Sequence, residues 1–265
     1  MRSRRALRSA GALGLLAMTA TACSGEASRL GMPEPISDQA ERMLKLWQGS
    51  WIAAFAVGAV VWGLIIWAVL FHRKRSDDLP PQVRYNMPIE ILYTAVPFVI
   101  IAVLFYFTAR DENYVEKLSK DPAVVVDVTA FQWSWRFDYV EKVGGQDKSV
   151  ASVTGVPVAP NAPAGAKPVL TIPEGQKVRI RLHSNDVIHS FWVPALLYKK
   201  DVMPGYTNEF EFTANKTGTY EGRCAELCGV DHSRMLFQLQ VVSPEQYKTF
   251  IDNAKAKAAA GGVRQ

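Results

Sequence analysis

The sequence predicts a membrane-anchored all-β protein, in which a hairpin of two transmembrane helices precedes a β-sandwich. Trp51–Phe71 is a 21-residue run without a charge, and Ile89–Ala109 is a second run of the same length. From Ala123 onward the apolar residues alternate instead in short runs separated by Gly and Pro turns, which is the pattern of strands. Near the end of the chain CAELCGVDHSRM, Cys224 to Met235, gathers two thiols, an imidazole and a thioether into one loop.

The chain opens on MRSRRALRSAGALGLLAMTATAC, four arginines ahead of a short apolar stretch from Gly11 to Met18 and then small residues. That is the layout of an export signal, expected over residues 1–22. Ala20-Thr21-Ala22 resembles a lipoprotein cleavage box, so Cys23 is expected to become the lipidated first residue of the mature chain. An ordinary signal peptide cleaved nearby is the alternative, and Arg4-Arg5 leaves twin-arginine export open beside the general route. Residues 23–50 are expected to form an extracytoplasmic segment. Trp51–Phe71 would reach about 31 Å as a helix at 1.5 Å per residue, enough to cross a hydrocarbon core. Both runs carry aromatic residues near their ends, as membrane interfaces favour. The loop between them, residues 72–88, contains Arg73, Lys74, Arg75 and Arg84, which should keep it cytoplasmic and place everything after Arg110 outside.

The formal net charge of +5 is confined to the first part of the chain: residues 1–110 carry 12 Lys+Arg against 7 Asp+Glu, and residues 111–265 carry 18 of each. An excess located in a signal and a cytoplasmic loop does not make a nucleic-acid-binding face. Nucleic acid is therefore excluded as a partner, and membrane lipid is expected as one.

The outer domain is expected over residues 123–243. In VVVDVTAFQWSWRFDYV, Val124, Val126 and Val128 share one parity, and Phe131, Trp133, Trp135, Phe137 and Tyr139 the other. A strand whose apolar face switches parity needs an extra residue, which predicts a β-bulge near Thr129 or Ala130. Residues 143–168 are rich in Gly, Pro, Ala and Ser and read as a long flexible insert. Strands are expected again at Val169–Ile172, Lys177–His183 and Asn208–Thr213, with Phe237, Leu239 and Val241 forming the inner face of a last strand. Residues 244–265 read as a C-terminal helix and tail. Several short strands with Gly and Pro turns suggest a sandwich.

For the loop itself three readings stand. Cys224 and Cys228 could form a disulfide, which explains neither His232 nor Met235. Zinc would take two cysteines, His232 and one distant histidine. Copper suits the soft sulfur donors better, although Met235 shares a face with Phe237 and is equally well read as core packing. The distant imidazole is expected to be His189, in NDVIHSFWVP, because His183 lies on a charged strand face and His72 on the cytoplasmic side. Two sulfurs four residues apart can bridge two coppers, each completed by one imidazole. No group in the loop reads as a nucleophile or general base.

The set HSFWVP, DVMPG and GRCAELCGVDHSRM, preceded by two spans and FQWSW, resembles the cytochrome c oxidase subunit 2 family of haem-copper terminal oxidases. The lipoprotein-like start and the Pro/Ala-rich insert are similar to actinobacterial forms. The resemblance implies a cupredoxin-like β-sandwich and a binuclear copper A centre ligated by His189, Cys224, the Glu226 carbonyl, Cys228, His232 and Met235. It also implies magnesium held through Glu226 at the contact with subunit 1, electron uptake through Trp133, and a role for Glu90 at the mouth of a proton channel. Residue parity reads Trp133 as core, and Glu90 also reads as a snorkelling interfacial residue. The implied partners are subunits 1 and 3 and a cytochrome c in the plasma membrane. Because residues 123–243 carry 12 acidic and 12 basic residues, a tethered cytochrome is expected as donor, within a supercomplex with the quinol-cytochrome c reductase. Asp186 and Asp231 are the candidates for a local acidic patch. A copper A domain of another respiratory reductase, or a Cys2His2 zinc- or copper-binding module, is the alternative.

Overall fold

A computed structural model describes residue 25 and residues 27–79, 81–158 and 166–260. The expected signal over 1–22, Cys23 with its lipid, the tip of the insert and the final five residues lie outside the described residues. Two compact units result: a helical one over residues 45–114, and a β domain formed by residues up to 44 together with those from 115 onward.

The helical unit holds two helices, α1 (Asp38–Phe71) and α2 (Met87–Val115). Side chains such as Ile52, Trp62, Phe98 and Phe105 are more than half exposed on them, a surface that only a hydrocarbon environment tolerates over such length. Both helices are longer than the apolar runs. The Ser37 hydroxyl accepts from the Ala40 amide at 3.1 Å and so caps α1 well ahead of Trp51. Residues 38–50, ahead of the apolar run, are therefore helical too, because capping and polar helix formers start a helix without any apolar run. At α2 the Asn86 amide donates to the Glu90 carboxylate at 2.8 Å, while the Asn86 side chain accepts from the Ile89 amide at 3.5 Å. Glu90 thus caps the second helix, and Pro97 sits inside it.

The β domain is a sandwich of two five-stranded sheets. One has the order β3-β2-β1-β5-β8, from Gln146–Thr154, Ser134–Val143, Val124–Phe131, Lys177–Ser184 and Asn208–Thr213. The other runs β4-β10-β9-β6-β7, from Val169–Pro173, Leu236–Val242, Gly218–Cys224, His189–Val193 and Tyr198–Val202. The strand β7 was not expected from the sequence, since YKKDV carries too little apolar alternation.

The predicted bulge near Thr129 is absent. β1 pairs without interruption to β2, from Val125 with Val140 to Phe131 with Ser134, and the parity change is a two-residue turn at Gln132 and Trp133. Val126, Val128 and Ala130 oppose Tyr139, Phe137 and Trp135 on one buried face. One apparent strand is two, and a hairpin accounts for the switch. An irregularity does occur later, between Tyr139 and Val140 opposite β3. The insert is also shorter than expected, because Gln146–Thr154 is a strand turned by Gly144 and Gly145, whose φ values of 63° and 83° suit a tight hairpin.

The core is aromatic where the sheets face each other. Trp135 meets Phe237 at 5.3 Å between ring centroids, and Phe191 stacks on Phe237 at 4.8 Å. A C-terminal helix, α3 (Pro244–Ala260), is capped reciprocally by Ser243 and Gln246 and lays Phe250 on Tyr139 at 5.2 Å.

Both connections to the spans are fastened within this domain. Ser37 forms an antiparallel bridge with Ala214, and the Ile36 carbonyl accepts from the Asn215 amide at 2.9 Å. After α2, Glu116 accepts from Tyr198 and Lys200. The Glu211 carboxylate, 2% exposed, accepts from the Ser119 amide at 2.9 Å and from Arg179. Burial alone would raise the Glu211 carboxyl, but the Ser119 amide and hydroxyl and the Arg179 guanidinium outweigh it and hold it below the usual range. A depressed carboxyl stabilises the fold above its unfolded value of about 4.3, and the contribution is lost as pH falls through the lower folded value. Glu211→Ala should cost about 3 kcal/mol in denaturant unfolding at pH 7, since it strands a partly buried guanidinium. The difference from the unsubstituted chain should shrink on acidification below about pH 4.

Candidate metal centre

The loop between β9 and β10 carries the site because three strands converge on it. His189 is the first residue of β6 and is fully buried. It opens its strand, since β5 stops at Ser184 and a short turn intervenes. Phe191 on β6 pairs with Cys224, the last residue of β9, which brings the imidazole beside that thiol. The ligand atoms of His189, Cys224 and Cys228 all lie within 4.8 Å of one another.

Around that trio the remaining donors close in. His189 Nδ1 is 3.9 Å from Cys224 Sγ, and His232 Nδ1 is 3.5 Å from Cys228 Sγ. The two sulfurs are 3.8 Å apart, far outside the 2.03–2.05 Å of a disulfide, and both cysteines are free. Met235 Sδ stands 3.8 Å from Cys228 Sγ, and the Glu226 carbonyl 3.2 Å from Cys224 Sγ. All six expected donors are therefore brought together. Two imidazoles, two thiols, a thioether and a carbonyl exceed the four donors of a structural zinc site, and their softness fits copper.

Burial pushes the Cys224 thiol up, but contact with His189 and with the backbone at Glu226 and Ser190 outweighs it and brings it down to about 7. Burial and the neighbouring Cys224 push Cys228 up to about 12. The metal-free pair thus gives up one proton readily and keeps the other, so that metal uptake must displace it.

Two residues beyond the sequence reading shape the site. Asp186 Oδ1 lies 2.8 Å from His189 Nε2, while Oδ2 accepts from the Gln132 amide at 2.7 Å. Burial favours the neutral carboxyl, but His189 and the amides of Gln132 and Val187 hold it ionised below its ordinary value. The His189 imidazole is raised for the reciprocal reason: burial lowers it, and contacts with Cys224 and Asp186 overcome that. Such a carboxylate fixes which ring nitrogen faces the metal. Gln132 Nε2 donates to the Cys228 carbonyl at 2.8 Å, and Trp133 Nε1 donates to the same oxygen at 3.2 Å. Gly229 permits this approach, since its φ is +125° and a Cβ would lie 3.0 Å from Trp133 Nε1. An acid three residues before a buried histidine is the signal that could have found Asp186.

Trp133 is accordingly a turn residue, only partly buried, that packs against the edge of the core and not within it. Of the two acids named for a local patch, Asp186 is bound to His189 and Asp231 pairs with Arg234 at 3.1 Å. The Glu226 carboxylate points to solvent while its carbonyl faces the sulfurs. Glu90 is not in the cluster and belongs to the α2 cap.

Residues 124–242 match the family described as "Cytochrome C oxidase subunit II, periplasmic domain". A probable cytochrome c oxidase subunit 2 of Streptomyces avermitilis is 49% identical over 287 residues, covering 98% of this chain and 90% of that one. Cytochrome c oxidase subunit 2 of Mycobacterium bovis is 39% identical over 297 residues, covering 94% and 82%. Among solved structures, the periplasmic domain of subunit II of cytochrome oxidase of Bradyrhizobium japonicum aligns at 29% identity and a TM-score of 0.44, over 53% of this chain and 99% of that one.

Replacing Asp186 should weaken the metal site without unfolding the domain. Asp186→Ala is expected to lower metal affinity about 10–100-fold, and Asp186→Asn by less, in competition titrations against a chelator. An unchanged affinity in Asp186→Ala would remove this carboxylate from the site.

Proposed function

The chain belongs to the cytochrome c oxidase subunit II family, and we propose that it is the electron-accepting subunit of a haem-copper terminal oxidase. His189, Cys224, Cys228, His232, Met235 and the Glu226 carbonyl would hold a binuclear copper A centre. The observation that carries this reading is a pair of buried sulfurs 3.8 Å apart, each with one imidazole nitrogen beside it, at 3.9 and 3.5 Å. When bound, the copper would supply the one-electron redox chemistry, with these residues fixing its position and surroundings.

The residues of the chain do the positioning. Asp186 orients His189, and the burial of both sulfurs and Met235 keeps water from the donors. Trp133 offers a short route inward, since its ring nitrogen bonds the carbonyl of a ligand residue, and on this reading it takes electrons from the donor cytochrome. Glu226, with an exposed carboxylate, would hold magnesium toward subunit 1, and Glu90 would stand at a proton channel mouth beside its capping role. The helices α1 and α2 would span the plasma membrane, with residues 72–88 cytoplasmic and the copper domain outside, in company with subunits 1 and 3.

The donor is proposed to be a tethered cytochrome, held in a supercomplex with the quinol-cytochrome c reductase. Asp186 and Asp231 pair within the domain, and beside the Glu226 carboxylate the loop exposes the apolar side chains of Leu227 and Val230, at 78% and 91%. A face of that kind offers little long-range attraction to a soluble basic protein.

The full chain loaded with copper tests the central reading. Two coppers per chain with a mixed-valence electron paramagnetic resonance signal are expected, and one bound zinc with no copper uptake would refute it. For the donor, turnover of the purified oxidase should change little as salt is raised from low to physiological strength. A steep fall with a free basic cytochrome c, and no tethered cytochrome co-purifying, would rule out the tethered partner.

A further inference from the structure

The segment that follows β3 does not leave the domain at once. Val158 is 4% exposed. Its amide donates to the Arg234 carbonyl at 3.3 Å, and its carbonyl accepts from Arg234 Nε at 2.9 Å. Arg234 Nη1 also donates to Asp231 Oδ1 at 3.1 Å. A single residue is thus gripped by both its backbone and its side chain. Upstream, the Gly155 amide donates to the Trp135 carbonyl at 2.9 Å. A Cβ on Gly155 would lie 2.4 Å from Pro168 and 2.7 Å from Ser134 Oγ, so only glycine lets this strap pass so close.

The gripped residue lies between two of the donors. His232, Ser233 and Arg234 form a short 3-10 turn, and Met235 follows it. Within the turn, the Arg234 amide bonds the Asp231 carbonyl at 2.9 Å and the Met235 amide bonds the His232 carbonyl at 3.2 Å. Turns of this type have poor hydrogen-bond geometry and little stiffness of their own. The Arg234 carbonyl reaches outside the turn to the strap, and its guanidinium adds two charge-assisted bonds, which are stronger than neutral ones.

We propose that Arg234 is a positioning residue: tied to Asp231 and to the Val158 strap, it holds the His232–Met235 turn against the sulfur pair and so sets the approach of His232 and Met235 to the metal. The inference rests on the ligand reading above. A weak thioether ligand is the one most easily altered by a small displacement, so the turn is where such a clamp would act most strongly on the metal.

The test uses the full chain in detergent with Arg234→Met, which keeps the apolar stem and removes the donors, Arg234→Lys, and Lys255→Met as a control. Lys255→Met removes a surface tie from α3 to Glu141 on β2. In the metal-free chain, alkylation of Cys224 and Cys228, followed peptide by peptide, should be several-fold faster in Arg234→Met, intermediate in Arg234→Lys and unchanged in Lys255→Met. In the copper-loaded chain, Arg234→Met should release copper to a chelator about tenfold faster, with altered hyperfine splitting and visible bands, and Arg234→Lys should restore part of both. Equal rates in Arg234→Met and Lys255→Met would overturn the proposal. An unsubstituted chain that takes up no copper, yet shows the same order of alkylation rates, would refute the ligand reading and leave the clamp standing. Equal alkylation rates beside a two-copper signal in the unsubstituted chain would do the reverse.

Discussion

Two backbone carbonyls, those of Cys228 and Met235, carry the geometry of the loop. The Cys228 oxygen accepts from Gln132 and Trp133, both in the β1–β2 turn. The Met235 oxygen accepts from the Cys224 amide at 3.0 Å and from Trp135 Nε1 at 3.3 Å. Each bond ties a donor residue to the opposite sheet or to the neighbouring donor. Together with the Arg234 ties to the strap they hold a loop whose own short turn is too soft to fix its donors. The aromatic run FQWSWRF therefore does two things at once: Trp135 and Phe137 fill the core, and Gln132 and Trp133, at the turn between strands, reach across to the site.

The same economy appears where the chain enters the domain. Residues 36–39 are buried or half-buried against the β8 edge, and Glu211 binds the segment after α2 through Ser119. Both flanking segments are fastened by hydrogen bonds to strands and so belong to the β domain itself. Of the acids near the loop, Asp186 is bound to His189 and Asp231 to Arg234, and Glu226 keeps an exposed carboxylate.

Much of this was legible in the sequence. The spans were visible as uncharged or nearly uncharged runs, the sandwich as alternation, and the six donors as one loop plus His189. What sequence alone could not supply depended on pairing. The residues from Val124 to Tyr139 read as one strand with a defect because parity records which face a residue takes and is blind to a tight turn that reverses the chain. That error moved Trp133 into the core. Gly144 and Gly145 marked a hairpin, but the low apolarity of QDKSVASVT concealed the strand after it. Asp186 looked like a surface acid since a hydrogen bond to a buried imidazole leaves no trace in composition. The part of α1 ahead of the span left no apolar trace either: a cap and polar helix formers do not register as a membrane signal.

The metal-free site is a costly arrangement that the scaffold nonetheless imposes. Burying Cys228 next to Cys224 pushes its thiol up to about 12, and the imidazole of His189 is held between a thiol and a carboxylate. Nothing in this cluster stabilises the domain by hydrophobic burial alone, so a chain selected only for stability would fill it with apolar side chains. The strands β6, β9 and β10 instead deliver the donors through ladder and core contacts that require no metal. Loading of such a site would be linked to the protonation of the thiol pair. Donors placed by ladder and core contacts are positioned independently of any metal, which is the preorganisation that a binding site needs.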